Sequence, residues 1–252
     1  MNLDDARRIH FVGIGGAGMS AIAKVLLERG KTISGSDLKE SRAARGLHFM
    51  GADIHIGHSA ALVEGADVVV VSAAIPDSNP EVVRAHELDI PIMTRGRALA
   101  ALLQGSKAIV VAGTHGKTTT TSMIVSIFRH AGLDPSYLVG GGLNDSGTNA
   151  RSGSGEFTIV ESDESDGSFL LLEPFIATVT NVEIDHVDYW SSLRELEDAF
   201  VRFLQNTRDD GAIVVPCDRP ALLGAAQAAA STVLSTGDGG DVAATAPTFD
   251  QS

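Results

Sequence analysis

Two glycine turns, each set between an apolar run and a helical pattern, restrict this chain more than any other feature. The first, Gly13-Ile14-Gly15-Gly16-Ala17-Gly18, ends the β-branched run 9–14. It precedes residues 19–28, where Met19, Ile22, Ala23, Leu26 and Leu27 recur at helical spacing. The second, Gly113-Thr114-His115-Gly116-Lys117-Thr118, follows the apolar run 108–112 and opens a helical stretch over 117–131. A strand that feeds a helix through a tight glycine turn is the repeating unit of a parallel, doubly wound sheet.

The segments around each turn extend the pattern. Strands are expected at 32–36, 53–56, 67–71 and 90–93, with a short helix at 80–87 that has Pro80 near its start. The four consecutive valines at 68–71 mark a strand buried on both faces. The rhythm restarts at Lys107. Strands are expected at 157–160, 176–180 and 212–215, and a helix at 192–206 gathers Leu193, Leu196, Phe200, Phe203 and Leu204 on one face. The expected fold is therefore α/β. A Rossmann-like parallel-sheet domain over 1–105 precedes a phosphate-loop α/β domain over 106–236, which reads as incomplete. Residues 237–252 are mostly Gly, Ser, Thr, Asp and Ala with little to bury, and read as a flexible tail.

Composition narrows the function. The formal charge of -13 opposes a general nucleic-acid or anionic-membrane binder, because phosphate backbones call for compensating Lys and Arg. A small phosphate ligand stays open, since a helix N-terminus holds one with backbone N–H groups. Cys217 is the only cysteine, so neither an intrachain disulfide nor a cysteine metal cluster can form. Residues 1–10 are mixed and charged, unlike a secretory signal, and no apolar run is long enough to span a bilayer. A cytoplasmic location is the expectation.

The first turn fits G-x-G-x-x-G, with Asp37 following 19 residues after Gly18 at the end of the next strand. Such a turn lets backbone donors approach a diphosphate, and Asp37 can accept a hydrogen bond from a ribose. NAD, FAD and a UDP-sugar all fit this pattern. The second turn is a shortened phosphate loop, because Val111 stands where the usual pattern has its first glycine. Lys117 supplies a point charge, the Thr118 hydroxyl suits Mg²⁺, and backbone donors can surround the phosphates. A lysine at a helix start opposes the helix dipole, so a merely capped helix explains it poorly. Residues 161–166 put Glu161, Asp163, Glu164 and Asp166 just after a buried strand, where open α/β sheets bind ligands. Alone, such a cluster is usually a solvated loop, and a lone histidine such as His186 is usually structural. The upstream phosphate loop shifts both toward metal or phosphate contact.

The two turns in this order, together with further stretches, resemble the Mur ligases, ATP-dependent ligases of bacterial cell-wall synthesis. The stretches are His10-Phe-Val-Gly-Ile-Gly-Gly-Ala-Gly-Met-Ser20, Ser34-Gly-Ser-Asp37, Ile56-Gly-His58, Ala112-Gly-Thr-His-Gly-Lys-Thr-Thr-Thr120, Gly147-Thr-Asn-Ala-Arg151, Glu161-Ser-Asp-Glu-Ser-Asp-Gly-Ser-Phe169 and Thr180-Asn-Val-Glu-Ile-Asp-His186. The resemblance spans about residues 9 to 218. It implies three domains, for a UDP-sugar, for ATP, and for completing the adenine and amino-acid sites; the third is expected to be absent here. It also implies that L-alanine is joined to the carboxylate of UDP-N-acetylmuramate through an acyl phosphate, with ATP and Mg²⁺.

On this resemblance Gly15, Gly16, Ala17, Gly18 and Met19 would contact the uridine diphosphate. Asp37 and His58 would lie beside its ribose and phosphates, and Ser72, Ala74 and Ile75 near the uracil. Asn149 and residues 163–165 would sit near the reacting carboxylate. Gly113, Thr114, His115, Gly116, Lys117, Thr118 and Thr119 would surround ATP. Thr118 and Glu161 would hold one metal ion and His186 a second, with Lys117, Glu161 and His186 carrying the chemistry. Two rivals remain: a nicotinamide dehydrogenase using the first turn, which leaves the second unexplained, and a non-catalytic nucleotide-binding fragment.

Overall fold

The computed structural model describes residue 3 and residues 5–140, 148–183, 189–230 and 232–243. The chain divides into two compact units, residues 1–106 with 121–161, and residues 107–120 with 162–252.

In the first unit, β1 (Arg8–Val12), α1 (Ala17–Glu28), β2 (Thr32–Asp37), α2 (Arg42–Phe49), β3 (Asp53–Ile56), β4 (Val68–Val71), α3 (Pro80–Glu87), β5 (Ile92–Thr94) and α4 (Arg95–Leu103) follow in order. The strands form a sheet of order β3-β2-β1-β4-β5, all parallel. Phe11 lies between Gly35 and Val70 in register. Val68, Val69 and Val70 are fully buried, which requires cover on both faces of the sheet. Helix α1 buries Met19, Ile22, Ala23 and Leu26, as the spacing predicts, leaves Leu27 only partly buried, and also buries Ser20, Ala21 and Val25.

Helices α2 and α4 are additions to the sequence reading. Each has a side-chain cap: Ser41 Oγ accepts from Ala44 N at 3.0 Å, and Thr94 Oγ1 from Arg97 N at 3.4 Å.

The second sequence rhythm begins with β6 (Lys107–Ala112) and α5 (Lys117–His130). The strands β7 (Ser136–Leu138), β8 (Ala150–Arg151) and β9 (Phe157–Glu161) come next and group with the first unit. There β7 pairs parallel with β9 and antiparallel with β8, and β8 packs on α1.

The remaining elements are β10 (Ile176–Val179), α6 (Leu193–Gln205), β11 (Ala212–Pro216), α7 (Pro220–Ala229) and β12 (Thr232–Thr236). In the second unit β6, β10, β11 and β12 run side by side in parallel. An aromatic cluster forms part of its core. Phe169, Phe200 and Phe203 are fully buried, with ring centroids 5.2 and 5.5 Å from Phe169 to the other two.

Strand β12 departs from expectation, since no strand is expected after Ser231. It forms because β11 offers it a complete parallel register, Ala212 to Pro216 against Thr232 to Thr236. The start of the expected tail is also tied down. Gly237 N donates to Val242 O at 3.0 Å, and Ser235 Oγ to Asp241 Oδ2 at 2.7 Å. The rest of that tail, 244–252, lies outside the described residues.

Candidate functional site

The first glycine turn sits at the C-terminal end of β1, where parallel strands leave room for a ligand. Ser36 O at the end of β2 anchors it, accepting from Gly13 N at 2.8 Å and Ile14 N at 3.0 Å. Asp37 closes the anchor, its Oδ2 accepting from Gly15 N at 2.9 Å. A Cβ on Gly15 would lie 2.8 Å from that oxygen and 2.9 Å from Ser41 Oγ, so a larger residue there would push both side chains aside. Asp37 thus holds the turn.

Ser72 and Ile75 pack against the other side of the turn, beside Gly13, and Ala74 between them is exposed. Gly16 and Ala17 are exposed at the start of α1 and Gly18 lies against the Arg95 side chain, whereas Met19 turns into the core at 2% exposure.

A cavity of about 620 Å³ opens beside the turn within this unit. Gly15, Ala17 and Asn149 line it, as do Lys24, Ser41 and Arg42, which the sequence reading did not single out. Its size suits a nucleotide or a sugar nucleotide. Lys24 Nζ donates to Thr148 Oγ1 at its rim.

The second turn joins β6 to α5 in the other unit. Gly113 adopts φ +123, and a Cβ there would strike Thr180 Oγ1 and Asn181 O. The end of β10 braces the loop. Thr114 N donates to Asn181 O at 3.1 Å, His115 N to Asn181 Oδ1 at 2.8 Å, and Thr180 Oγ1 to His115 O at 2.6 Å. His115, Gly116, Thr118 and Thr119 are exposed, with Gly113 and Thr114 buried beneath them.

Lys117 folds back over this loop. Its Nζ donates to Gly113 O at 2.7 Å, Thr114 O at 3.1 Å and Glu164 Oε2 at 2.9 Å. Glu164 has no solvent exposure. Burial pushes its carboxyl above the ordinary value, and the Lys117 hydrogen bond pulls the other way without cancelling it. Trp190 Nε1 donates to Glu164 O at 3.0 Å, fixing the backbone beneath the pair. This partnership was missed, because the sequence places Glu164 only within a generic acidic run. Asp163 and Asp166 accept from Ser165 N and Ser168 N, each at 3.0 Å, and so shape the turn that carries it.

Glu161 ends β9, and its Oε2 accepts from Gly140 N at 2.6 Å. His186 lies outside the described residues. Among the described residues no group of three His, Cys, Asp or Glu side chains is placed to hold a metal ion, and no helix is long and apolar enough to cross a membrane.

Comparison with known proteins matches residues 8–107 to the model "Mur ligase family, catalytic domain" and residues 111–250 to "Mur ligase middle domain". A UDP-N-acetylmuramate–L-alanine ligase from Geotalea daltonii is 52% identical over 211 residues, 84% of this chain and 46% of the relative. The chain thus spans about half the length of the curated relatives it matches. Among solved structures, a UDP-N-acetylmuramate:L-alanyl-gamma-D-glutamyl-meso-diaminopimelate ligase from Neisseria meningitides superposes with TM-score 0.83 at 29% identity, over 92% of this chain and 78% of that one. The UDP-N-acetylmuramate-alanine ligase from Thermotoga maritima gives 0.79 at 32%, over 92% and 53%.

Proposed function

The chain belongs to the Mur ligase family, and from that premise we propose that it carries the UDP-sugar and ATP sites of an enzyme that joins L-alanine to UDP-N-acetylmuramate in the cytoplasm. Lys117 is the observation that carries this reading. A cation held by loop carbonyls at the head of a helix, above a braced glycine turn, is the arrangement that receives nucleotide phosphates.

The reaction proceeds in two displacements. The sugar-linked carboxylate attacks the γ-phosphorus of ATP, ADP leaves, and an acyl phosphate forms. The L-alanine amine then attacks the acyl carbon, loses a proton and expels phosphate, leaving the amide. The protein positions reactants and offsets developing negative charge. Lys117 serves the transferring phosphoryl group once it exchanges a loop carbonyl or Glu164 for phosphate oxygens. At the start of α5 the backbone N–H groups of Gly116 and Lys117 would meet the same charge, while those of Thr114 and His115 are held by Asn181. Asp37 and the first turn hold the uridine diphosphate, and Asn149 orients its sugar end from the cavity wall.

Thr118, in the second unit, offers a hard oxygen donor of the kind Mg²⁺ takes. Bound there, Mg²⁺ would add positive charge against the phosphate oxygens.

The test is phosphate release from ATP that depends on both UDP-N-acetylmuramate and L-alanine. Lys117→Ala abolishes it and leaves UDP-sugar binding in place. Undiminished release in that variant, or release that ignores either substrate, contradicts the reading.

A further inference from the structure

A buried polar cluster lies beneath the first glycine turn, and of its members only His58 has been given a ligand contact above. At its centre is Glu81, in the first turn of α3, with no solvent exposure. Its Oε2 accepts from His10 Nε2 at 2.8 Å and from Ser36 Oγ at 2.7 Å. Its Oε1 accepts from His58 Nδ1 at 2.9 Å and from Ser59 N at 3.2 Å. Burial pushes this carboxyl up, but hydrogen bonds from His10, Ser36 and His58 outweigh it and hold the group below its ordinary value. Glu81 is therefore an ionised, acceptor-only hub.

That fixes the protons around it. His10 must donate from Nε2, and its Nδ1 meets the Ser34 hydroxyl at 2.8 Å, so a neutral ring is fully satisfied. Ser36 gives its proton to Glu81, so its oxygen can only accept from His58 Nδ1, 3.0 Å away. Every contact of His58 thus falls on Nδ1, which must carry hydrogen. Its Nε2 makes no hydrogen bond or ion pair among the described residues, and the side chain keeps 11% exposure. The preceding residue, Gly57, donates its N–H to Asp37 O at 2.8 Å. His58 therefore stands at the strand ends shared by Asp37 and the first turn.

We propose that Glu81 is a positioning residue. It clamps His58 in the Nδ1–H tautomer and so keeps Nε2 as a lone-pair acceptor for a hydroxyl of the UDP-sugar. A carboxylate behind one imidazole nitrogen decides what the other can do. The ligand half of this proposal rests on the UDP-sugar reading of the first unit.

The test combines side-chain ¹⁵N NMR with calorimetry near neutral pH. In the wild-type chain His58 shows a protonated Nδ1 and an unprotonated Nε2, and UDP-N-acetylmuramate shifts the Nε2 resonance. Glu81→Gln removes the Nδ1–H preference and weakens UDP-N-acetylmuramate binding about tenfold, the size of one lost hydrogen bond, with ATP binding unchanged. In a His58→Ala background the same change costs no further affinity, which a merely structural role would not produce. A protonated Nε2 in the wild type, or a Glu81→Gln chain that keeps both the wild-type tautomer and the wild-type affinity, overturns the proposal. Absence of UDP-N-acetylmuramate binding by the wild type overturns the UDP-sugar reading itself. The tautomer comparison, made without ligand, still decides whether Glu81 sets the His58 ring.

Discussion

Lys117→Ala should destabilise the second unit as well as remove a phosphate contact, and the size of that effect follows from Glu164. The pair is 2.9 Å apart, with side-chain exposures of 12% for Lys117 and 0% for Glu164. Removing one partner of a buried pair leaves a desolvated charge without its counter-ion, at a cost of about 3–5 kcal/mol. The partial exposure of Lys117 puts the expected loss at the lower end, about 3 kcal/mol. With a urea slope of roughly 2–3 kcal/mol per molar, the unfolding midpoint falls by about 1 M.

Trp190 is the chain's single tryptophan and donates to Glu164 O, so its fluorescence reports on this unit directly. The loss must also depend on pH. Glu164 already titrates above its ordinary value of 4.5, chiefly through burial, and losing the ammonium raises it further. Between 4.5 and that raised value the folded variant binds a proton that the unfolded chain does not. Folded-state stability relative to wild type therefore recovers as pH falls through that raised value toward 4.5, and the full loss holds above it. A further Glu164→Gln change should recover most of the loss at pH 7. A midpoint shift well under 0.5 M, or one equal at pH 5 and pH 7, would refute the buried-pair argument.

Two further outcomes rest on other parts of the molecule. Gly15→Ala places a Cβ 2.8 Å from Asp37 Oδ2 and breaks its bond to Gly15 N. A hydrogen bond to a charged group contributes about 1.5–3 kcal/mol, so calorimetry should show UDP-N-acetylmuramate binding weakened at least tenfold with ATP binding unchanged. Phe200→Ala removes a fully buried ring that packs against Phe169. It should cost about 3–5 kcal/mol, read as an earlier Trp190 transition in urea.

How much of this was legible depended on whether the information was local. The two turns were, because glycine spacing, an apolar run and a helical period lie within about 20 consecutive residues. The aliphatic face of α1 and the valines of β4 were legible for the same reason. Helix α2 was not, since it buries only Ala44 and Leu47 and so presents too short an apolar stripe. Strand β12 was missed although Thr232, Val233 and Thr236 favour strands, because it is only five residues long and runs into the Gly- and Asp-rich stretch that follows; its pairing with β11 defines it.

The site divides in the same way. Lys117 and Asp37 announce themselves by position. Glu164 becomes Lys117's partner only when residues 47 apart in sequence are folded together. Glu81 follows Asn79 and Pro80, where an acidic residue ordinarily reads as a complement to the helix dipole. Nothing in that context shows that two histidines, a serine hydroxyl and a backbone amide converge on its carboxylate.

Whether one chain holds a UDP-sugar site in its first unit and an ATP site at the Lys117 loop is tested most directly by titration calorimetry. Wild type and Lys117→Ala are each titrated with UDP-N-acetylmuramate and with ATP. The wild type should bind both, one of each per chain, and Lys117→Ala should lose ATP while its UDP-N-acetylmuramate affinity stays within about twofold, a change of some 0.4 kcal/mol. Equal ATP affinity in the two proteins would contradict the two-site reading, as would ATP and the UDP-sugar competing for a single site.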